Sequence, residues 1–111
     1  MDDSTSIGYL REQVKDFVAE RDWEKFHTPK NLAISVAIEA AELLEIFQWS
    51  EDREPLDKEG ENQLHDELAD VLLYCFAVAN ALNIDISSAV TKKIEKNAHK
   101  YPVERFKGRY K

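Results

Sequence analysis

Residues 28–49 read TPKNLAISVAIEAAELLEIFQW, a helix start followed by the pattern of a central helix. Thr28 followed by Pro29 is a helix start: a hydroxyl able to accept a first-turn N–H, then a residue whose fixed φ suits the first helical position. From Leu32 to Phe47, apolar side chains (Leu32, Ile34, Val36, Ile38, Leu43, Leu44, Ile46, Phe47) stand nearly all round the helix, which marks it as central rather than peripheral. Glu39, Glu42 and Glu45 interrupt that surface, and no Lys or Arg in the Leu32–Phe47 segment stands four residues away to pair with them.

Upstream, Ile7, Leu10, Val14, Phe17 and Val18 repeat at helical spacing. They predict an amphipathic helix from about Ser6 to Arg21, with Arg11, Glu12, Lys15 and Asp16 on the other face. Asp22–His27 forms a charged connection carrying Trp23 and Phe26. Downstream, Gln48–Gly60, with Pro55, is the longest connection, and a third helix is expected over Glu61–Leu82, polar at first and apolar after Asp70. Asp85 caps a fourth helix, Ile86–Lys100, whose Lys92, Lys96 and Lys100 share one side. Pro102 stops it, leaving 103–111 as a basic tail expected to be poorly ordered. With only three Gly and three Pro in 111 residues, the chain reads as one all-α domain, 1–111, built as a four-helix bundle.

Composition narrows the function. The net charge of −7 argues against a nucleic acid polymer as partner, since that affinity comes from many phosphate-neutralising cations. Residues 91–111 nevertheless hold eight Lys or Arg against two Glu, +6, leaving −13 on the first ninety residues. An acidic body with a basic end suits metal ions in one place and phosphates beside them. The longest apolar run, Val71–Leu82, is too short for a bilayer core of about 30 Å, so no membrane partner is expected. Cys75 has no partner in the chain, which excludes an internal disulfide and a thiolate metal site and fits a reducing cytoplasm.

Glu39 with Glu42, and Glu67 with Asp70, are i, i+3 pairs, each beside an apolar stretch. Buried carboxylates without partners cost several kcal/mol or become neutral, so four close together call for cations. Magnesium, a hard ion satisfied by oxygen ligands and by substrate phosphates at once, meets that need, with Mn2+ as a substitute of similar preference. A solvated acidic face is the plainer alternative for any one of these residues. A carboxylate-bridged di-iron bundle is a poor fit, because it calls for two Glu-x-x-His motifs and the chain holds one, Glu24–His27; Glu61–His65 and Glu95–His99 are both at i+4. A helical interaction module with no catalysis is the remaining alternative.

Glu39-x-x-Glu42, a gap of 24 residues and Glu67-x-x-Asp70 resemble the signature of the MazG-like all-α nucleoside triphosphate pyrophosphohydrolases. The phrases ERDWEKFHTPKNL, EAAELLEIFQW, DELADVLLY and KNAHKYP, in that order and within residues 17–102, are similar to the dCTP pyrophosphatase branch. Where MazG itself has a further Glu before the first motif glutamate, this chain has Ile38.

The resemblance implies a hydrolase that cuts dCTP or a related nucleoside triphosphate into monophosphate and pyrophosphate, as house-cleaning of the nucleotide pool. It implies that Glu39, Glu42, Glu67 and Asp70 hold Mg2+, and Glu42 or Glu45 is expected to position or deprotonate the attacking water. By the same similarity Lys93, Asn97, Lys100 and Tyr101 touch the triphosphate, with a solvated basic helix end as the alternative. Trp23, His27, Phe47, Trp49 and Tyr74 then line a base pocket, the alternative for the aromatics being core. Helix two and the apolar half of helix three carry more hydrophobic surface than four short helices can bury. A homodimer or homotetramer is therefore expected.

Overall fold

The computed structural model describes residues Met1–Lys111, and every regular element in it is helical. Each main helix starts where a short polar side chain accepts from its first turn. Ser6 accepts the Tyr9 N–H at 3.0 Å and opens α1, Ile7–Glu20; Thr28 accepts that of Asn31 at 3.2 Å and opens α2, Pro29–Glu45. Asp57 accepts from Gly60 at 2.7 Å and opens α3, Lys58–Leu82, while Asp85 accepts from Ser88 at 2.8 Å and opens α4, Ile86–Lys100. Such caps satisfy donors that the helix cannot, each contributing about 1 kcal/mol.

The boundaries differ from the sequence reading in three places. α3 begins at Lys58 rather than Glu61, because Asp57 supplies a cap ahead of Gly60. α2 stops at Glu45, and the next residues tighten into successive i to i−3 bonds, Phe47 N–H to Leu44 and Gln48 N–H to Glu45. The segment expected to be a loose tail contains a short helix, α5, Val103–Phe106. Pro102, at φ −60, leads into it, and the Tyr101 and Phe106 rings pack edge to face with centroids 5.2 Å apart.

Packing rests on α3. Its residues 64, 67, 70, 71 and 74 are half-buried, as are residues 35, 36, 39, 42, 43 and 46 of the α2 stripe that begins at the fully buried Leu32. Leu32 meets Tyr74 in one cavity lining while Glu39 meets Glu67 and Asp70, so α2 and α3 run in opposite directions. α1 covers the other side of α3, where Phe76, Ala77 and Ala79 complete the core. Arg11, expected on the solvent face, is instead half-buried against Asn80, since its position flanks the Val14–Val18 stripe.

α4 turns away from α3 by 106°, and residues 87–101 are exposed throughout. Only four of 111 residues are buried, so large apolar side chains remain open on several faces, among them Ile38 (53%), Leu44 (68%) and Ile94 (63%). No single helix is long and apolar enough to cross a membrane.

Leu32, at 1% exposure, is the side chain most completely enclosed. Leu32→Ala should cost about 2–5 kcal/mol through lost burial and an unfilled cavity, read from urea unfolding at fixed protein concentration. A cost below about 1 kcal/mol would mean that the α2–α3 seam is not the core.

Candidate functional site

Four acidic residues, Glu39 and Glu42 of α2 and Glu67 and Asp70 of α3, occupy half-buried positions along the seam between the two helices. Along α2 the stripe facing α3 runs Leu32, Val36, Glu39, Leu43 and Ile46 with Glu42 beside it, and along α3 it runs Leu64, Glu67, Val71 and Tyr74 with Asp70 beside it. The helical repeat thus carries the carboxylates inward on both sides of one seam. Glu39, Glu67 and Asp70 are half-buried and each offers an oxygen lying within 4.8 Å of the others. Glu42, half-buried beside this trio, is near enough for its carboxyl to act on those of Glu39 and Glu67. Glu45 is exposed in the last turn of α2 and lies outside the set.

No cation offsets this charge from within the chain. The ion pairs are Arg21–Glu20, Lys25–Asp22 and Lys58–Glu61, none of them in the cluster, and Glu39 Oε2 and Glu67 Oε2 are buried without a hydrogen-bond donor. Burial, then the Glu42 carboxyl, then the charges of Glu42, Asp70 and Glu67 push Glu39 from its ordinary 4.5 up to about 7. Glu67 moves upward too, through burial first and then through Glu42, Asp70 and Asp66. Orphaned oxygens facing one another across a seam, all of them hard donors, fit a divalent oxygen-seeking ion.

Beside the cluster, the aromatic residues divide into two groups. α1 ends in a turn where Asp22 takes the left-handed conformation (φ 53) and the Trp23 N–H reaches back to the Val18 carbonyl at 3.1 Å. That closure satisfies helix-end carbonyls and brings the Trp23 ring edge-on to Phe17, with centroids 5.8 Å apart. Trp23, His27 and Tyr74 meet around Leu32 in a cavity of about 310 Å³. The same three residues, with Asp70, also line a groove of about 600 Å³ between α1 and α3. One carboxylate of the cluster therefore faces the aromatic groove directly. Phe47 and Trp49 are elsewhere, exposed in the turns after α2, Trp49 to 90%.

The basic set also stands apart. Lys93, Asn97, Lys100 and Tyr101 lie on or just beyond the free α4. Asp70 and Leu82 are separated by about 18 Å along α3 at 1.5 Å per residue, and α4 then departs at 106°. Within one chain these side chains do not reach the carboxylates. Sequence reasoning missed Phe26, whose carbonyl accepts from the Asn31 side chain at 3.1 Å beside the smaller cavity. It also missed the Arg11–Asn80 contact; that pair is 69 residues apart, and no local pattern marks it.

Residues 34–111, which include the two acidic pairs and the basic helix, match the model of the MazG-like family. This chain belongs to the MazG-like family. Its fold is shared by the crystal structure of a pyrophosphatase from Archaeoglobus fulgidus, at a TM-score of 0.76 and 42% identity over 86% of this chain and 92% of that one. It is 40% identical over 103 residues to dCTP pyrophosphatase 1 of Rattus norvegicus, covering 89% of this chain and 61% of that protein. The Homo sapiens dCTP pyrophosphatase 1 is 40% identical over 97 residues, covering 84% and 57% respectively. The chain thus spans about 61% of the length of the rat protein.

The acidic cluster of this MazG-like chain sets a pH dependence. Both shifts are upward, so the native state holds protons that the unfolded chain has already released. The stability contributed by Glu39 is fully present below its ordinary 4.5 and is lost as pH rises toward about 7. Metal-free protein in chelator should therefore melt at progressively lower temperature across that window, and Glu39→Gln should flatten the decline. Parallel melting curves for the two proteins would contradict the assignment.

Proposed function

We propose that this chain is a magnesium-dependent nucleoside triphosphate pyrophosphohydrolase, acting in the cytoplasm on dCTP or a related nucleotide and releasing the monophosphate and pyrophosphate. One observation carries the reading: two facing helices press Glu39, Glu67 and Asp70 together without a single compensating cation, leaving two buried oxygens unsatisfied. The names of the rat and human relatives and of the archaeal structure support the same chemistry.

Glu39, Glu67 and Asp70 hold the ion, with Glu42 closing the set. When bound, Mg2+ or Mn2+ supplies positive charge that offsets the charge building on the phosphoryl oxygens and makes water a better nucleophile. The residues do the rest. Glu42, half-buried beside the cluster and acting on both Glu39 and Glu67, is better placed than the exposed Glu45 to take the proton of the attacking water. The water oxygen bonds to the α phosphorus, the bond from that phosphorus to the αβ bridging oxygen breaks, and pyrophosphate leaves with that oxygen. Trp23, His27 and Tyr74 receive the base, and Asp70, in the same groove lining, ties the base site to the phosphate end.

Lys93, Asn97, Lys100 and Tyr101 are assigned to the triphosphate, but from a second copy. The free α4 and the open apolar side chains Ile34, Ile38, Leu44, Leu68, Leu72 and Ile94 support a homodimer or homotetramer in which α4 of one copy reaches the acidic seam of another. Phe47 and Trp49 join the base site in the same assembly.

Incubation with each nucleoside triphosphate and magnesium, followed by assay of both phosphate products, tests the reaction. Pyrophosphate should appear; orthophosphate alone would mean a different bond is cut. Glu42→Gln should lower turnover by about 10²–10⁴-fold with helix content intact, and full activity in that variant rules out its role. A purely structural helical module would show no magnesium-dependent stabilisation, whereas a bound ion at a hundred times its Kd adds about 2.7 kcal/mol.

Sharing of the site between copies has its own test. Glu42→Gln and Lys93→Ala chains, each inactive alone, should regain up to about a quarter of wild-type activity when unfolded together and reassembled, because mixed assemblies contain an intact site. Absence of any recovery in verified mixed assemblies would place the lysine in its own chain's site.

A further inference from the structure

Every side-chain hydrogen bond in the protein but three joins residues no more than five apart in sequence. The three exceptions meet at one point. Arg11 Nε donates to Asn80 Oδ1 at 3.0 Å, Asn80 Nδ2 donates back to the Arg11 carbonyl at 3.1 Å, and Arg11 Nη1 donates to the Ile84 carbonyl at 2.7 Å. One guanidinium thereby ties α1 to α3 and both to the turn where Asn83 takes φ 55 and the chain swings into α4. Arg11 and Asn80 are both half-buried, so competition from water is reduced.

The neighbouring groove is walled by Leu10, Val14 and Phe17 on one side and by Asp70, Leu73 and Tyr74 on the other. Apolar walls attract without direction and tolerate sliding. Hydrogen bonds do not, since their length is held within a few tenths of an ångström and their angle is restricted. Asn80 satisfies both contacts only because an amide carries an acceptor and a donor on one fork. The bond to Ile84 has a second effect: the direction in which α4 leaves is fixed by the residue that fixes the groove.

We propose that the Arg11–Asn80 clamp is a positioning device that sets the spacing of the α1–α3 groove and hence which nucleobase it accepts. This rests on the hydrolase reading above. The clamp touches neither the phosphates nor the acidic cluster, so it acts through Leu10, Val14 and Phe17 rather than on the reacting atoms.

The test uses the full chain with magnesium, assayed on each nucleoside triphosphate. Asn80→Leu removes both contacts at similar size and should raise KM for the preferred triphosphate roughly tenfold while kcat stays within about twofold, because misplacement is felt in binding first. Preference among bases should narrow by about tenfold as well. Asn80→Asp keeps the acceptor for Arg11 and should recover most of both losses. Unchanged KM and base preference in Asn80→Leu, or Asn80→Asp behaving no better, overturns the proposal. If Asn80→Leu does not fold, Arg11→Lys takes its place, keeping the charge but losing the fork, with the same KM shift expected and an unchanged KM overturning the idea. If the wild-type chain cleaves no triphosphate, the hydrolase reading fails on its own. Hydrogen exchange over residues 7–20 then decides the clamp: faster exchange in Asn80→Asp than in wild type, but slower than in Asn80→Leu, supports it, and equal rates in all three end it.

Discussion

Four carboxyl groups placed on the inward sides of two opposed helices are the constraint from which the rest of the molecule follows. At those positions an ordinary bundle would carry leucine or valine, as this one does at Leu32, Val36, Leu43 and Val71. Like charges in a half-buried seam repel, and each is also penalised for leaving water. The fold tolerates them in two ways: by holding protons, which the upward shifts of Glu39 and Glu67 express, or by taking up a cation. Stability is thereby given up at the point where a phosphate-bound ion would be held, a common arrangement where structure serves chemistry.

The second feature is the division of labour around α3. One side of this helix meets α2 and forms the acidic seam; the other meets α1 and forms the aromatic groove, and Asp70 belongs to both. A ligand with an anionic end and a flat end is thus matched by two adjoining surfaces of a single helix. The lysines of α4 are carried away from both surfaces by the 106° bend, so the two surfaces a single chain brings together are acidic and aromatic.

Much of this was legible in the residues, and what was not has identifiable causes. Helix positions were readable because Thr28 and Asp85 are local signals whose effect spans three residues, and because the apolar spacing of Ile7, Leu10, Val14, Phe17 and Val18 marks α1. The pairing of Glu39 with Glu42 and of Glu67 with Asp70 followed from helical spacing, and their convergence from the apolar company they keep. The start of α3 was misjudged because Gly60 suggests a break while Asp57 caps more strongly. The helical turn at Val103–Phe106 depends on Tyr101 meeting Phe106, a contact made after the chain has already turned. Arg11 could not be placed, since its partner lies 69 residues away. Nor could sequence tell that Phe47 and Trp49 would part company with Trp23, because periodicity gives the face of a helix but not what the turn beyond it does.

α4 is fifteen residues long and exposed from Ser87 to its end. A helix of that length standing in water is marginal, since its own hydrogen bonds barely outweigh the ordering of its backbone. Its amphipathic pattern, Val90 and Ile94 on one side and Lys92, Lys96 and Lys100 on another, finds no counterpart within the chain. On the arrangement proposed, the apolar side of this helix is covered only when another copy arrives, so its stability rises with protein concentration. At high dilution this helix would be the first part of the chain to fray.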